Sequence, residues 1–217
     1  MTGVQLVLVH GWGFDAKVWD PLCDLLGDMV TRVHDLGFFG HPMTAHPDAG
    51  TPVIAVGHSL GFMWLLRQRP FPWDALVSIC GMPRFVSATD YPLGVAPRLL
   101  ERMAARMKRE PQATVDDFRH RCGVGTAPEG LDGLRLNEGL DWLRQWDLRD
   151  HLAAETVPLL ALGGEEDAVV PWALTEGIYG GRPETTLHCA PRGDHGLPQT
   201  QPQWCAEHLR ALVSRLS

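Results

Sequence analysis

The sequence predicts an α/β fold: a mostly parallel central sheet flanked by helices, with a helical insertion between two core strands. Three observations carry this. Short runs rich in Val, Ile and Leu alternate with stretches of helical spacing. The runs are apolar at nearly every position, as in strands buried on both faces of a parallel sheet. Residues 82–150 lose strand character altogether and carry Arg, Met, Leu and Trp at helical spacing.

Taken in order, residues 4–9 are the first strand, and Val18, Trp19, Leu22, Leu25, Leu26 and Met29 give 16–29 a helical period. Residues 30–36 are the second strand. Residues 41–52 are rich in Pro and Gly, so no helix is expected there. Residues 53–57 are the third strand, and a helical stretch from Leu60 to Gln68 follows at once. Strands are expected at 75–80, 157–163 and 184–189, and a closing helix at Trp204–Leu216. The division expected is a core of residues 1–81 and 151–217, with 82–150 as a helical cap over the carboxyl ends of the strands, where open α/β sheets bind ligands.

Composition narrows the function. With 217 residues the chain is long enough for a self-sufficient core. Lys and Arg number 19 and Asp and Glu 26, for a net charge of −7, a poor balance for nucleic-acid binding. Cys23, Cys80, Cys122, Cys189 and Cys205 are odd in number and lack CxxC spacing, which reads as free thiols in a reducing compartment. The apolar run Leu6–Val9 is too short for a signal or a membrane span. A cytoplasmic monomer with no membrane or nucleic-acid partner is expected. His41 and His46 lack a third ligand at regular spacing, so no metal and no cofactor are expected.

The motif with chemistry in it is Gly57-His58-Ser59-Leu60-Gly61, a G-x-S-x-G between an apolar strand and a helix. There a serine sits on a tight strand-to-helix turn whose flanking glycines admit close backbone packing. A serine hydroxyl needs a base, and the base needs a carboxylate to orient it. Of ten histidines, only His195 stands after the last strand and before the final helix. After the penultimate strand come Glu165, Glu166 and Asp167; Asp167 directly precedes the apolar Ala168-Val169-Val170 and is expected to pack inward, whereas the two glutamates read as solvated. The candidate triad is Ser59, Asp167 and His195. An oxyanion needs two N–H donors, expected from Leu60 and from Trp12 in the glycine-flanked loop His10-Gly11-Trp12-Gly13. Trp12, Phe14 and Phe85 are candidates for lining a substrate channel, and Trp64 reads as core.

These landmarks, in this order along the chain, resemble the α/β-hydrolase superfamily. The opening residues 6–19, Gly81-Met82-Pro83 and Arg121-Cys122-Gly123 are similar, more narrowly, to pimeloyl-[acyl-carrier protein] methyl ester esterases of biotin synthesis. The resemblance implies hydrolysis of a methyl ester to methanol and pimeloyl-carrier protein, an oxyanion hole from Trp12 and Leu60, and an acyl-carrier protein docked on cap arginines. The chain departs from the superfamily after Asp35, where Leu36-Gly37-Phe38-Phe39-Gly40 replaces a Pro-Gly turn.

Charge supports that partner. The cap holds equal numbers of basic and acidic residues, so the acidity lies in the core. Within 98–109, Arg98, Arg102, Arg106 and Arg109 fall in an arc of roughly 80° on a helix. Guanidiniums suit carboxylates and phosphate. Arg119 and Arg121 are candidates for extending this docking face. The alternatives are a general small-ester hydrolase or thioesterase without carrier protein, with the arginines a solvated face, and a ligand-binding protein on a hydrolase scaffold.

Overall fold

The structure is a computed structural model, and it describes residues 3–216. Six strands form one parallel sheet: β1 (Gln5–Val9), β2 (Val30–His34), β3 (Val53–His58), β4 (Ala75–Ile79), β5 (Leu159–Gly164) and β6 (Thr185–Ala190). Their spatial order is β2-β1-β3-β4-β5-β6, every neighbouring pair parallel. The order reverses after β2, so β1 and β3 lie side by side with their carboxyl ends meeting at a switch point, the usual ligand position in such sheets.

Strands β1, β3, β4 and β5 are buried along their whole length because both faces are covered, whereas the edge strands β2 and β6 carry Thr31, Arg32, Thr185, Thr186 and His188 and are only partly buried. On one face Val7, Val9 and Ala55 pack with Leu60, Phe62 and Met63. On the other Leu6, Leu8, Ile54 and Val56 pack with Trp19, Leu22, Leu209 and Val213. Helix α2 (Leu60–Gln68) and the insertion cover the first face; α1 (Asp20–Leu25) and α9 (Pro202–Leu216) cover the second. Burying each large aliphatic side chain contributes about 1.5–3 kcal/mol.

One expectation on this side of the sheet needs adjusting. The helix expected over 16–29 splits into a 3₁₀ turn, Ala16–Trp19, and the short α1, which carries Pro21 in its first turn and stops before Gly27. Between β2 and β3 the chain is irregular, as its Pro and Gly predict. Buried Gln5 takes the place of packing by a helix: its amide donates to the carbonyls of Asp48 and Thr51 and its oxygen accepts from the Asp48 N–H.

Between β4 and β5 lie α3 (Pro97–Met107), α4 (Pro111–Arg121), α5 (Gly133–Gln145) and α6 (Arg149–Ala154). The boundary expected at residue 150 falls inside α6, whose Leu152 joins the core. Helices α7 (Trp172–Tyr179) and α8 (Leu197–Thr200) complete the chain. No helix among the described residues is long and apolar enough to cross a membrane.

Candidate active site

Strand β3 enters α2 through Ser59, which holds φ 51° and ψ −122°. A non-glycine residue held there costs about 1–3 kcal/mol and persists only where the surroundings impose it. Close packing imposes it here. A Cβ on Gly57 would stand 2.3 Å from Phe62 Cα, and one on Gly61 2.1 Å from the Val9 carbonyl oxygen. The Ser59 N–H is anchored on Ile79 O at 2.9 Å. The turn thus pushes Oγ out over the strand ends, with the first turn of α2 beneath it.

Ser59 Oγ lies 2.9 Å from His195 Nε2, and His195 Nδ1 lies 2.8 Å from Asp167 Oδ2. A carboxylate only accepts, so the proton sits on Nδ1 and Nε2 is left to accept from the serine hydroxyl. Asp167 Oδ1 accepts from the N–H groups of Val169 and Val170, both at 2.8 Å. Burial pushes the Asp167 carboxyl up, but the facing His195 and these two donors outweigh it and hold it below its ordinary value. It is therefore ionised where imidazole titrates. Glu165 and Glu166 are exposed, and Glu165 accepts from Arg192 N–H. The structure brings Ser59, His195 and Asp167 together.

His58 supports the histidine. Its Nε2–H donates to the His195 carbonyl at 2.8 Å, and its ring is edge-on to Phe14. Burial pushes it down to about 3, so it stays neutral. Cys80 Sγ, an Asp167 oxygen and a His195 nitrogen lie within 4.8 Å of one another. Two of these are already bonded to each other, and burial keeps the thiol protonated, so the cluster belongs to the triad's surroundings. Sequence reasoning missed both supports; no spacing ties residue 58 or 80 to residue 195.

The second wall is the loop after β1. A Cβ on Gly11 would stand 2.9 Å from Ser59 Cβ, so only glycine lets the loop come this close. The N–H groups of Trp12 and Leu60 have no acceptor among the described residues, which leaves both for a ligand. Trp12 Nε1–H donates to Leu136 O at 2.7 Å, tying the loop to α5. Gly139 allows this: a Cβ there would meet the Trp12 ring at 2.8 Å and Phe38 at 3.0 Å.

Above Ser59 opens a cleft of about 580 Å³. Trp12, Phe85, Leu100, Met103, Phe118, Leu143 and Val169 make it apolar inside; exposed Leu93, Leu99, Arg102 and Arg121, with Arg106 and Asp117, stand at its mouth. Trp12 and Phe85 are both in its lining.

Phe14 is not: it is fully buried among His58, Phe118 and Arg119, because the turn at Gly13 directs it under the sheet edge. The arginine face also needs correction. Pro111 forces Glu110 out of helical geometry, α3 stops at Met107, and Arg109 falls outside both the helix and the cleft lining. Arg106 is paired with Asp117 and Glu110. Arg98 and Arg102 are exposed, with no carboxylate at ion-pair distance among the described residues. Arg119 is buried and faces inward.

No protein-family model matches the chain. It is 30% identical to the biotin biosynthesis bifunctional protein BioHC of Cellvibrio japonicus over 94% of its own length, and spans 46%, just under half, of that protein. It is 27% identical to the pimeloyl-[acyl-carrier protein] methyl ester esterase of Vibrio atlanticus, over 94% of this chain and 93% of that one. Among solved structures, an esterase from Exiguobacterium antarcticum superposes with a TM-score of 0.83 at 19% identity, covering 98% of this chain and 92% of that one. Fold and relatives agree: the chain has the fold of the α/β-hydrolase esterases and is similar in sequence to proteins named pimeloyl-[acyl-carrier protein] methyl ester esterases.

Proposed function

We propose that the chain is a serine carboxylesterase acting on the methyl ester of pimeloyl-acyl-carrier protein. The observation that carries the chemistry is the hydrogen-bonded chain Ser59–His195–Asp167 at the floor of an apolar cleft. Ser59 Oγ attacks the ester carbonyl as His195 Nε2 takes its proton. The carbonyl oxygen, now an anion, accepts from the Trp12 and Leu60 N–H groups, aimed at the site at no cost of reorganisation. His195 then protonates departing methanol, leaving an acyl-enzyme. Water, deprotonated by His195, releases the free carboxylate and restores Ser59.

The substrate rests on the sequence relatives, whose names carry it, and on cleft shape: an apolar interior suits a methylene chain, and Arg102 and Arg121 at the mouth suit the phosphate and acids of a carrier. Arg106, neutralised by Asp117 and Glu110, and Arg109, outside the lining, are left out of that role. The pairing of Arg106 also favours a second reading, a small-ester hydrolase whose cleft mouth has little net charge.

Conversion of pimeloyl-carrier-protein methyl ester, read as a gel shift, separates them. Wild type should convert it and Ser59→Ala should not. An enzyme that cleaves p-nitrophenyl esters but leaves the carrier-linked ester intact would establish the second reading. Failure of a fluorophosphonate to label Ser59 would reject both.

A further inference from the structure

We infer that Arg119, on the insertion, is a positioning residue for the oxyanion hole: it pins the carbonyl of Gly13 and so fixes the direction of the Trp12 N–H. The inference rests on the serine-esterase reading and adds a residue to it.

Arg119 is buried at 7% exposure. No carboxylate pairs with it among the described residues. Instead its guanidinium is spread over three backbone carbonyls. Nε donates to Gly125 O at 2.9 Å and Thr126 O at 3.1 Å, and Nη1 to Gly13 O at 3.0 Å. The cation also lies 5.1 Å from the centre of the Phe14 ring. An arginine buried without a counter-ion is costly unless its donors are used, and burial draws its proton affinity down. A surface helix face has no need of such a residue.

What it holds is the turn that presents Trp12. The Phe14 N–H closes that turn on Gly11 O at 3.3 Å, and Gly13 takes φ +72° inside it. The C=O that Arg119 holds and the N–H that closes the turn belong to one planar peptide, Gly13–Phe14. Both ends of that plane are therefore tied down. Phe118, the preceding residue of α4, packs edge-on against Trp12 at 4.9 Å and would touch any side chain at Gly13. The Gly11 carbonyl on which the Phe14 N–H closes shares its own peptide plane with the Trp12 N–H and also accepts from His10 Nδ1 at 2.9 Å, so with Arg119 holding the far end of the turn the Trp12 N–H, which has no acceptor of its own, keeps one direction.

The test compares wild type with Arg119→Lys, which keeps the charge but loses the fork, and Arg119→Met. Rates on p-nitrophenyl butyrate are expressed per site titrated by fluorophosphonate. Arg119→Lys should lose about 10- to 100-fold in kcat, as for a weakened oxyanion donor, with KM within about threefold, and Arg119→Met should lose more. An alkyl trifluoromethyl ketone, which forms an oxyanion on Ser59, should bind more weakly in proportion to kcat. The matching alkyl methyl ether, which forms none, should bind unchanged, and the pH profile should keep its midpoint. An unchanged kcat per site, or equal weakening of ketone and ether, would overturn the proposal. In wild type the Phe14 amide should exchange with solvent as slowly as the amides of β1. Fast exchange there would overturn it without any variant. If wild type itself hydrolyses nothing, the esterase reading fails rather than this one.

Discussion

Strands β1, β3, β4 and β5 bury every residue, whereas α3 buries only Leu100 and Met107. The two regions share an apolar cluster and meet across the cleft, but they differ in how completely they are buried and in what else holds them. The sheet side is close-packed apolar matter in which the backbone itself is the tight fit, as at Gly57 and Gly61. The insertion also buries apolar side chains against that sheet, Val115, Leu136, Leu140 and Leu143 among them, but its hold on the loop after β1 adds directed contacts: Trp12 to Leu136 O, Arg119 to Gly13 O, and the Phe118 ring on Trp12. Its outer edge is tied by ion pairs, Arg84 to Asp147 and Arg149 to Asp147 and Asp90. The sheet side carries Ser59, Asp167 and His195; the insertion shapes the cleft and, on the inference above, steadies the Trp12 N–H. Changes on the sheet side should therefore remove chemistry or folding outright, and changes in the insertion should scale rates.

The largest effect belongs to the triad. Ser59→Ala should lower kcat on p-nitrophenyl butyrate by about 10⁴- to 10⁶-fold, and Asp167→Asn by about 10⁴-fold, because the amide no longer holds the right tautomer. Thermal melting should show both folded. Residual activity within tenfold of wild type would mean that another group does the work.

Next come two glycines that probe the two regions alike. A methyl on Gly61 meets the Val9 carbonyl oxygen, a backbone atom that cannot yield. Gly61→Ala should cost more than about 4 kcal/mol and leave little soluble protein. A methyl on Gly139 meets the edges of Trp12 and Phe38, side chains that can shift. Gly139→Ala should fold, lose about 1–3 kcal/mol, and drop in kcat as Trp12 moves. If circular dichroism and chemical denaturation show the reverse order, the contrast between the regions is wrong.

A third effect, set by pH, belongs to the sheet side alone. His34 and His58 are buried neutral, at about 4 and about 3. Burial is the main cause in both; nearby histidines add to it. In the unfolded chain each binds a proton near 6.5, so the unfolded state holds more protons below that pH. Their contribution is complete above about 6.5 and is lost as pH falls toward 4 and 3, at up to about 1.4 kcal/mol per pH unit for each group. The depressed Asp167 acts in the same direction, but only below the ordinary carboxylate range. Urea midpoints at neutral and mildly acid pH should show the fall, and His34→Gln should flatten it. An unchanged slope in that variant would remove His34 from the account.

How much of this was legible in the sequence follows the same division. All six strands lie within two residues of the expected ranges; β1, β3, β4 and β5, buried on both faces, are the nearly continuous apolar runs, while the edge strands β2 and β6 mix in Thr, Arg and His. That Ser59, Asp167 and His195 come within hydrogen-bond distance of one another was legible, because chain order and strand ends restrict where each can stand. The insertion was legible as helical, but its contacts were not. Arg98, Arg102, Arg106 and Arg109 share one arc on an ideal helix, yet Pro111 ends α3 before Arg109, and Asp117 on the next helix neutralises Arg106. Arg119 read as one more surface arginine, because its acceptors are carbonyls, which every residue carries and no pattern marks. Phe14 read as a channel residue for want of knowing which way the Gly13 turn points.

The smallest expected effect concerns the arginines that remain at the mouth. Arg102 and Arg121 are exposed, so on the proposed function each would attract a carrier protein only through a screened field, and either alone would contribute little. Changing both to Glu should lower kcat/KM for the carrier-linked ester about tenfold at low ionic strength and much less at high ionic strength, since what is lost is steering. Arg106→Ala should change it less, because Asp117 and Glu110 already cancel that charge. Hydrolysis of p-nitrophenyl butyrate should be the same in all of them, as a small neutral ester feels no such field. A loss equal for both substrates would mean that these residues shape the cleft rather than recruit a partner. A salt-independent loss confined to the carrier-linked ester would mean that they grip the arm directly, and would move them from steering to binding.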